Sequence, residues 1–428
     1  MSFVSLSHTP ATLGLGLLLT LAACQQNSSS EKKAAASAGA SSASPLTVGT
    51  WRGVLSAQDQ EIPFLFEVDE AGGEPVVTLR NGEERLLLNE IKTAGDSTTI
   101  RLGVFDAALV VRPAGEGKLQ GAWVKYDGKE PYRVPFAATK GEQPLFGGSE
   151  AQPQSFAGTW RVAFKGDDGK TYPAVGVFEQ QGSNVTGTFL TSTGDYRYLA
   201  GQAVSDKLNL TTFDGSHGFL FTAQKRGNGL NGHFYSGKSG HETWTATLDP
   251  NAKLPDANAL TGMKPGQKKL DFRFPNVYEG GSISPSDPKY RGKVLVVQIL
   301  GSWCPNCMDE TNFLAPWYEK NKGRGVEIIG LGFERTSDQK VAAQKLLKMK
   351  DRLNVGYDLA VAGEASKDAA SAALPQIQKV LAFPTTIFLD KKGEVRKIHT
   401  GFSGPGTGKY YEQEVAEFNR TIDQLLTE

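Results

Sequence analysis

Two regimes of apolar spacing divide the chain. Between residues 46 and 250, short runs such as Ile62-Pro63-Phe64-Leu65-Phe66-Glu67-Val68 and Pro75-Val76-Val77-Thr78-Leu79 are separated by turn signals, among them Asn81-Gly82 and Asp127-Gly128. This pattern predicts short antiparallel strands, and sustained helical periodicity is missing. From Leu270 the pattern changes. Val294 to Leu300 and Gly325 to Leu331 are near-continuous apolar runs, as expected of strands buried on both faces. Helix-like stretches follow at Glu310 to Lys322, with Phe313, Leu314 and Trp317 on one stripe, at Ser337 to Lys350 with Ser337 as N-cap, and at Tyr410 to Leu426. Thr385 to Leu389 and Val395 to Ile398, joined through Asp390-Lys391-Lys392-Gly393, predict a hairpin. Alternating strands and helices predict an α/β sheet covered on both faces.

The β-rich region repeats itself. Gly49-Thr50-Trp51-Arg52 returns as Gly158-Thr159-Trp160-Arg161, and Leu119-Gln120-Gly121-Ala122-Trp123 is echoed by Leu230-Asn231-Gly232-His233-Phe234. Between these anchors Glu84-Arg85-Leu86 parallels Tyr196-Arg197-Tyr198, and Val104-Phe105-Asp106 parallels Thr212-Phe213-Asp214. Units at residues 46–147 and 153–250 each suffice for a small antiparallel barrel or sandwich, or they form halves of one larger barrel. Trp51 and Trp160 precede alternating strands and are expected in cores. Residues 251–268, with Pro250 just before them and Pro255 and Pro265 inside, are the expected linker to a domain at 269–428. The chain is therefore expected to be multidomain.

The first 24 residues are a targeting segment rather than fold. Ala11 to Ala23 is apolar and too short to span a bilayer, and Leu21-Ala22-Ala23-Cys24 resembles a bacterial lipobox, which implies cleavage before Cys24 and its lipidation. Residues Met1 to Pro10 hold no Lys or Arg, a departure from the usual signal. Gln25 rather than Asp after the cysteine implies passage to the outer membrane. Residues 25–45, rich in Ser and Ala, are expected to be a flexible tether of about 25 Å root-mean-square span.

Lys plus Arg and Asp plus Glu are each 46, so formal charge is zero. No basic block is present, and nucleic-acid binding is set aside. With 3 cysteines and Cys24 committed to the leader, none is left for a structural disulfide. The other two stand in Trp303-Cys304-Pro305-Asn306-Cys307, after an apolar strand and before a helix-like stretch, which reads as a dithiol that cycles with its disulfide. Cys304 at a helix start would have its thiolate favoured by free N–H groups and the helix dipole, making it the nucleophile. Pro305 suits the first helical position, and Cys307, one turn on, would resolve the mixed disulfide. A metal at this motif would need two further ligands that the cysteines cannot supply. His217, His233 and His241 fit no helical ligand spacing and are expected on surfaces or turns. No metal and no cofactor are expected, since the sulfurs carry the electrons.

Together with Phe383-Pro384-Thr385-Thr386 before a strand and the Asp390 to Val395 hairpin, these residues make the chain from about Phe272 onward resemble the TlpA-like (ResA-like) thioredoxin-fold thiol-disulfide oxidoreductases. The upstream β region resembles the extensions of some TlpA-like lipoproteins, with far weaker motifs. The resemblance implies a cis bond between Phe383 and Pro384, with Phe383, Pro384, Trp303 and Pro305 forming the substrate-docking surface. It implies Glu310 as proton acceptor for Cys307; the bare residues fit equally a solvated first-turn charge. Thioredoxins usually place a buried Asp where this chain has Gln298, so that base is absent. Glu334 and Arg335 are expected to border the site.

The implied function is a periplasm-facing disulfide oxidoreductase acting on disulfide-containing exported proteins, in the reducing direction, with electrons from a membrane thiol reductase. An outer-membrane site would be awkward for that supply. A second possibility is a binding or scaffold lipoprotein whose β region does the main work. A third, a peroxiredoxin-type peroxidase, needs Thr where this chain has Gly301.

Overall fold

A computed structural model describes residues 46–128, 130–147 and 153–428. Cys24, the signal and the tether lie outside the described residues. The β-rich region folds as two separate sheets, not as halves of one barrel. Strands from Gly49–Ala57 to Tyr132–Lys140 form a nine-stranded antiparallel sheet whose edges are Glu84–Leu88 and Ile91–Ala94. The second nine-stranded sheet closes into a barrel, because Thr171–Gln181 pairs with both Gly158–Gly166 and Asn184–Thr191. The two-residue strand Gly194–Asp195 hangs off the ring, paired with Asn184–Thr191.

Alternation fills each interior. Trp51, Phe64, Phe66, Trp123 and Phe136 form the first core, and Trp160, Phe164, Phe189, Phe221 and Trp244 the second. The repeated tryptophans do the same job in each. Trp51 Nε1 donates to the Thr47 carbonyl at 2.9 Å and Trp160 Nε1 to the Phe156 carbonyl at 2.9 Å, each four residues back. The repeated glycines mark close strand approach. A Cβ at Gly121 would lie 1.9 Å from the Val110 carbonyl oxygen, and one at Gly232 would lie 2.1 Å from that of Thr222 and 2.5 Å from the Trp244 ring. Gly232→Ala is therefore expected to lower stability by about 3 kcal/mol, read as a lower urea midpoint. An unchanged midpoint would show that the barrel wall yields.

The remainder forms a five-stranded sheet. In it β1 (Val294–Leu300), β2 (Val326–Glu334) and β3 (Asp358–Glu364) are parallel, while β4 (Thr385–Leu389) runs antiparallel to β1 and β5 (Val395–Thr400) antiparallel to β4, in the order β3-β2-β1-β4-β5. Every residue of β1, β2 and β4 is buried, as the apolar runs led one to expect of β1 and β2. Helices α1 (Pro305–Asn321), α2 (Gln339–Arg352), α3 (Lys367–Ala373) and α4 (Lys409–Thr427) accompany the sheet. Buried side chains of α1, α2 and α4 join one core cluster, and those of α3 join another. α1 begins at Pro305 with Cys304 as its N-cap, as the preference of Pro for the first helical position led one to expect. The start of α2 differs from expectation. The N-cap of α2 is Asp338, not Ser337, its carboxylate accepting from Lys340 N at 2.9 Å and Val341 N at 3.1 Å.

Residues 251–268 are tied to the α/β unit. Lys264 N donates to Gln376 O at 2.8 Å, Gln378 N to Gly262 O at 2.8 Å, and Val395 N to Lys268 O at 2.7 Å. The β sheets also pack on this unit. Asp127 of the first sheet pairs with Arg335, Asp106 with Lys345 at 3.0 Å, and Glu90 with Arg352. Ser216 Oγ of the second barrel donates to the Trp303 carbonyl at 3.2 Å. The consequence is that the face carrying Trp303 to Cys307 looks into the β region.

Candidate active site

Cys304 is the N-cap of α1, with φ −105° and ψ 110°. Its sulfur accepts from Cys307 N at 3.2 Å, which is a use of a free helix-terminal donor. The two cysteines form a disulfide with Cα atoms 5.2 Å apart. Cys304 is 5% exposed and Cys307 fully buried. The Phe383–Pro384 bond is cis, and the Phe383 carbonyl oxygen lies 3.5 Å from Cys304 Sγ. Trp303 packs edge-on against Phe383 at 5.5 Å between centroids and donates its indole N–H to the Phe333 carbonyl at 2.8 Å. Pro305 is buried at the first helical position. Phe383, Pro384, Trp303 and Pro305 are thus brought to the dithiol together.

Behind the dithiol the sheet carries polar groups. Gln298, fully buried on β1 in the place of the usual Asp, donates to Glu310 Oε2 at 2.7 Å and accepts from Tyr357 Oη at 3.0 Å. Thr386, two residues after Pro384, donates its hydroxyl to Glu310 Oε1 at 2.5 Å. Burial pushes the Glu310 carboxyl up to about 7, against the donors Thr386 and Gln298, which favour the ionised form. Glu310 is therefore a buried, titratable group one turn beyond Cys307, not a solvated charge. On the other side Glu334 accepts from Ser302 N at 2.7 Å and Ser302 Oγ at 2.8 Å, and burial pushes it up to about 7. Arg335 stacks over the Trp303 ring at 4.6 Å. Both border the site, as expected from their place at the end of β2.

In the sequence Thr386 stands out only as part of the stretch around Pro384, and neither it nor Tyr357 nor the β-region residues on the dithiol turn were expected in the site. Asn306 Nδ2 donates to the Asp195 carbonyl at 3.1 Å, and Arg197 Nη1 donates to the Pro305 carbonyl at 3.1 Å. The repeat marked Arg197 without saying what it would touch. His233 and His241 stack on adjacent strands, with Asp167 beside His241, while His217 pairs with Asp214 instead. Among the described residues, no group of three or more His, Cys, Asp or Glu is placed to hold a metal.

A CxxC disulfide at a helix N-terminus, facing a cis-proline on a sheet of this order, defines a thioredoxin-fold domain preceded by a β-rich, barrel-like region. Residues 264–415 match the Redoxin family model, and this part of the chain is similar to the ResA-like thiol-disulfide oxidoreductases. Thiol-disulfide oxidoreductase ResA of Bacillus thuringiensis subsp. konkukian is 30% identical over 117 residues, 27% of this chain and 59% of that protein. ResA of Bacillus subtilis is 28% identical over 122 residues, 28% of this chain and 60% of its own length. Thiol:disulfide interchange protein DsbE of Escherichia coli is 22% identical over 175 residues, 39% of this chain and 80% of its own. The crystal structure of a putative DsbE from Chlorobium tepidum, at 20% identity, covers 36% of this chain and 98% of that chain with a TM-score of 0.27. The chain spans about three fifths of the ResA proteins it matches.

Proposed function

We propose that this protein is a thiol-disulfide oxidoreductase that reduces disulfides of exported proteins in the bacterial cell envelope. It is held to the membrane by lipidated Cys24, with the outer membrane favoured, and faces the periplasm. Its electrons come from a membrane thiol reductase. Cys304 attacks the substrate disulfide, the mixed disulfide forms, and Cys307 displaces the substrate thiol while the Cys304–Cys307 bond closes. Trp303, Pro305, Phe383 and Pro384 receive the substrate chain, with the Phe383 backbone available as a short pairing edge.

One observation carries this reading: the Cys304 sulfur caps α1 and accepts the Cys307 N–H at 3.2 Å, beside Pro384. That donor and the helix dipole favour a thiolate once the disulfide is reduced. The names of the ResA and DsbE relatives support the same chemistry. Anchoring rests on the leader alone; among the described residues no helix is long and apolar enough to cross a membrane.

The test is insulin reduction with dithiothreitol, using protein from which residues 1–24 have been removed. Accelerated precipitation is expected, and a rate equal to dithiothreitol alone would end the proposal. Cys307→Ser should accumulate mixed disulfides with envelope proteins, visible as higher-mass bands that a reductant removes. An absence of such bands would favour the scaffold alternative.

A further inference from the structure

The second barrel delivers a charged side chain to the dithiol turn. Arg197 is 7% exposed and takes a left-handed backbone conformation at φ 58°, uncommon for a residue other than glycine. Asp195 holds this turn in place. Its Oδ1 accepts from Arg197 N at 2.6 Å, and its Oδ2 accepts from Gly404 N of the redoxin domain at 2.7 Å. The space is tight, since a Cβ at Gly406 would lie 2.9 Å from the Arg197 backbone.

The guanidinium then meets three carboxylates from three directions. Glu84 comes from the first sheet, Asp309 from α1, and Asp214 from the second barrel, 3.7 Å from Nε. Burial weakens the hold of the guanidinium on its proton, and the pull of Asp309, Glu84 and Asp214 more than offsets this, so the charge is kept. Burial pushes the Asp309 carboxyl up to about 7 against the pull of Arg197, with Asp195 and Glu84 adding to the rise. The same Nη1 that meets Asp309 also reaches the Pro305 carbonyl at 3.1 Å. Pro305 stands between the two cysteines, so a cation from a separate sheet is bonded to the backbone of the redox turn.

We propose that Arg197 is a positioning residue for the dithiol: it clamps the first turn of α1 through Pro305 and Asp309 and adds positive charge where the Cys304 thiolate forms. The inference rests on the dithiol acting as a redox couple. Equilibration with glutathione measures it: two glutathione thiols lose two electrons and become one glutathione disulfide, while the Cys304–Cys307 bond breaks and each sulfur takes a proton or remains a thiolate. A cation beside the helix N-terminus stabilises the thiolate and hence the reduced form, which makes the disulfide the better oxidant. The other charged or titratable groups around it are Glu84, Asp195, Asp214 with His217 and Lys125, Asp309 with Tyr411, and Tyr198, while Glu310 and Glu334 lie on the sheet side of the turn.

The experiment uses the purified chain. Arg197→Gln should lower the equilibrium constant for reduction by glutathione by about tenfold, about 30 mV. It should also raise the Cys304 thiol pKa, read from thiolate absorbance against pH. Arg197→Lys should recover most of both shifts. Asp309→Asn leaves the guanidinium charge less compensated and should move both in the opposite direction. Glu90→Gln loosens the distant pair with Arg352 and should change neither, which separates an effect at the turn from one of docking.

A glutathione equilibrium within twofold of wild type in Arg197→Gln, or an equal shift in Glu90→Gln, would overturn the inference. Should Arg197→Gln not fold, Arg197→Lys and Asp309→Asn decide it: a shift of the predicted sign in Asp309→Asn supports it and none refutes it. A potential that depends on Arg197 in a protein that reduces no insulin would sink the proposed function and spare this inference. An active enzyme indifferent to Arg197 would do the reverse.

Discussion

Cys304→Ser is expected to reduce insulin-disulfide turnover by at least roughly 1000-fold, to the background of dithiothreitol alone, without unfolding the protein. The hydroxyl that replaces the sulfur can still accept the Cys307 N–H, so the cap of α1 survives in kind. What is lost is the nucleophile. A serine hydroxyl neither ionises near neutral pH nor forms a disulfide, so no mixed intermediate can arise. The retained cap makes the result interpretable: near-wild-type thermal unfolding with no turnover assigns the chemistry to this sulfur. Substantial turnover in the variant would remove Cys304 from the mechanism.

Glu310→Gln is expected to slow turnover by about 100-fold at pH 8 and to flatten its pH dependence. Wild-type Glu310 is protonated below about 7 and ionised above it. As the proposed acceptor of the Cys307 proton, Glu310 would work only when ionised, so the wild-type rate should rise as pH increases through 7. The glutamine variant should lack that limb. Stability moves the other way. A buried carboxyl whose pKa is raised by folding destabilises the folded state progressively as pH climbs from its unfolded value, about 4.3, to about 7. The variant should therefore gain stability over wild type at pH 8 and lose that advantage near pH 4. Slowed catalysis with an unchanged pH profile would show that Glu310 serves only the hydrogen bonds of Gln298 and Thr386.

The β region packs on the dithiol turn. Cys304 is 5% exposed, and Asp195 and Arg197 of the second barrel bond the turn between the cysteines. The acidic rim of the first sheet, Asp106, Asp127 and Glu90, faces Lys345, Arg335 and Arg352. These pairs are partly exposed and each contributes little, on the order of 1 kcal/mol or less. The buried Arg197 cluster is a different case, because removing its one guanidinium would leave Glu84, Asp214 and Asp309 without their shared cation.

Much was legible in the amino-acid order alone. Apolar runs announced β1 and β2, since a strand covered on both faces is built mainly from apolar side chains, and the turn residues Asp390 to Gly393 announced the β4–β5 hairpin. Alternation announced the β region, and paired tryptophans and glycines announced its repeat. Cys304, Pro305 and Cys307 announced a helix start, because capping and proline preference act within a few residues of chain. The three-dimensional packing alone decided that the repeats fold as separate sheets of which only the second closes, that Glu310 lies buried between Gln298 and Thr386, and that Glu84, Arg197 and Asp309 converge. Those outcomes depend on which faces meet across long stretches of sequence, and local spacing carries no record of a partner contributed by another sheet.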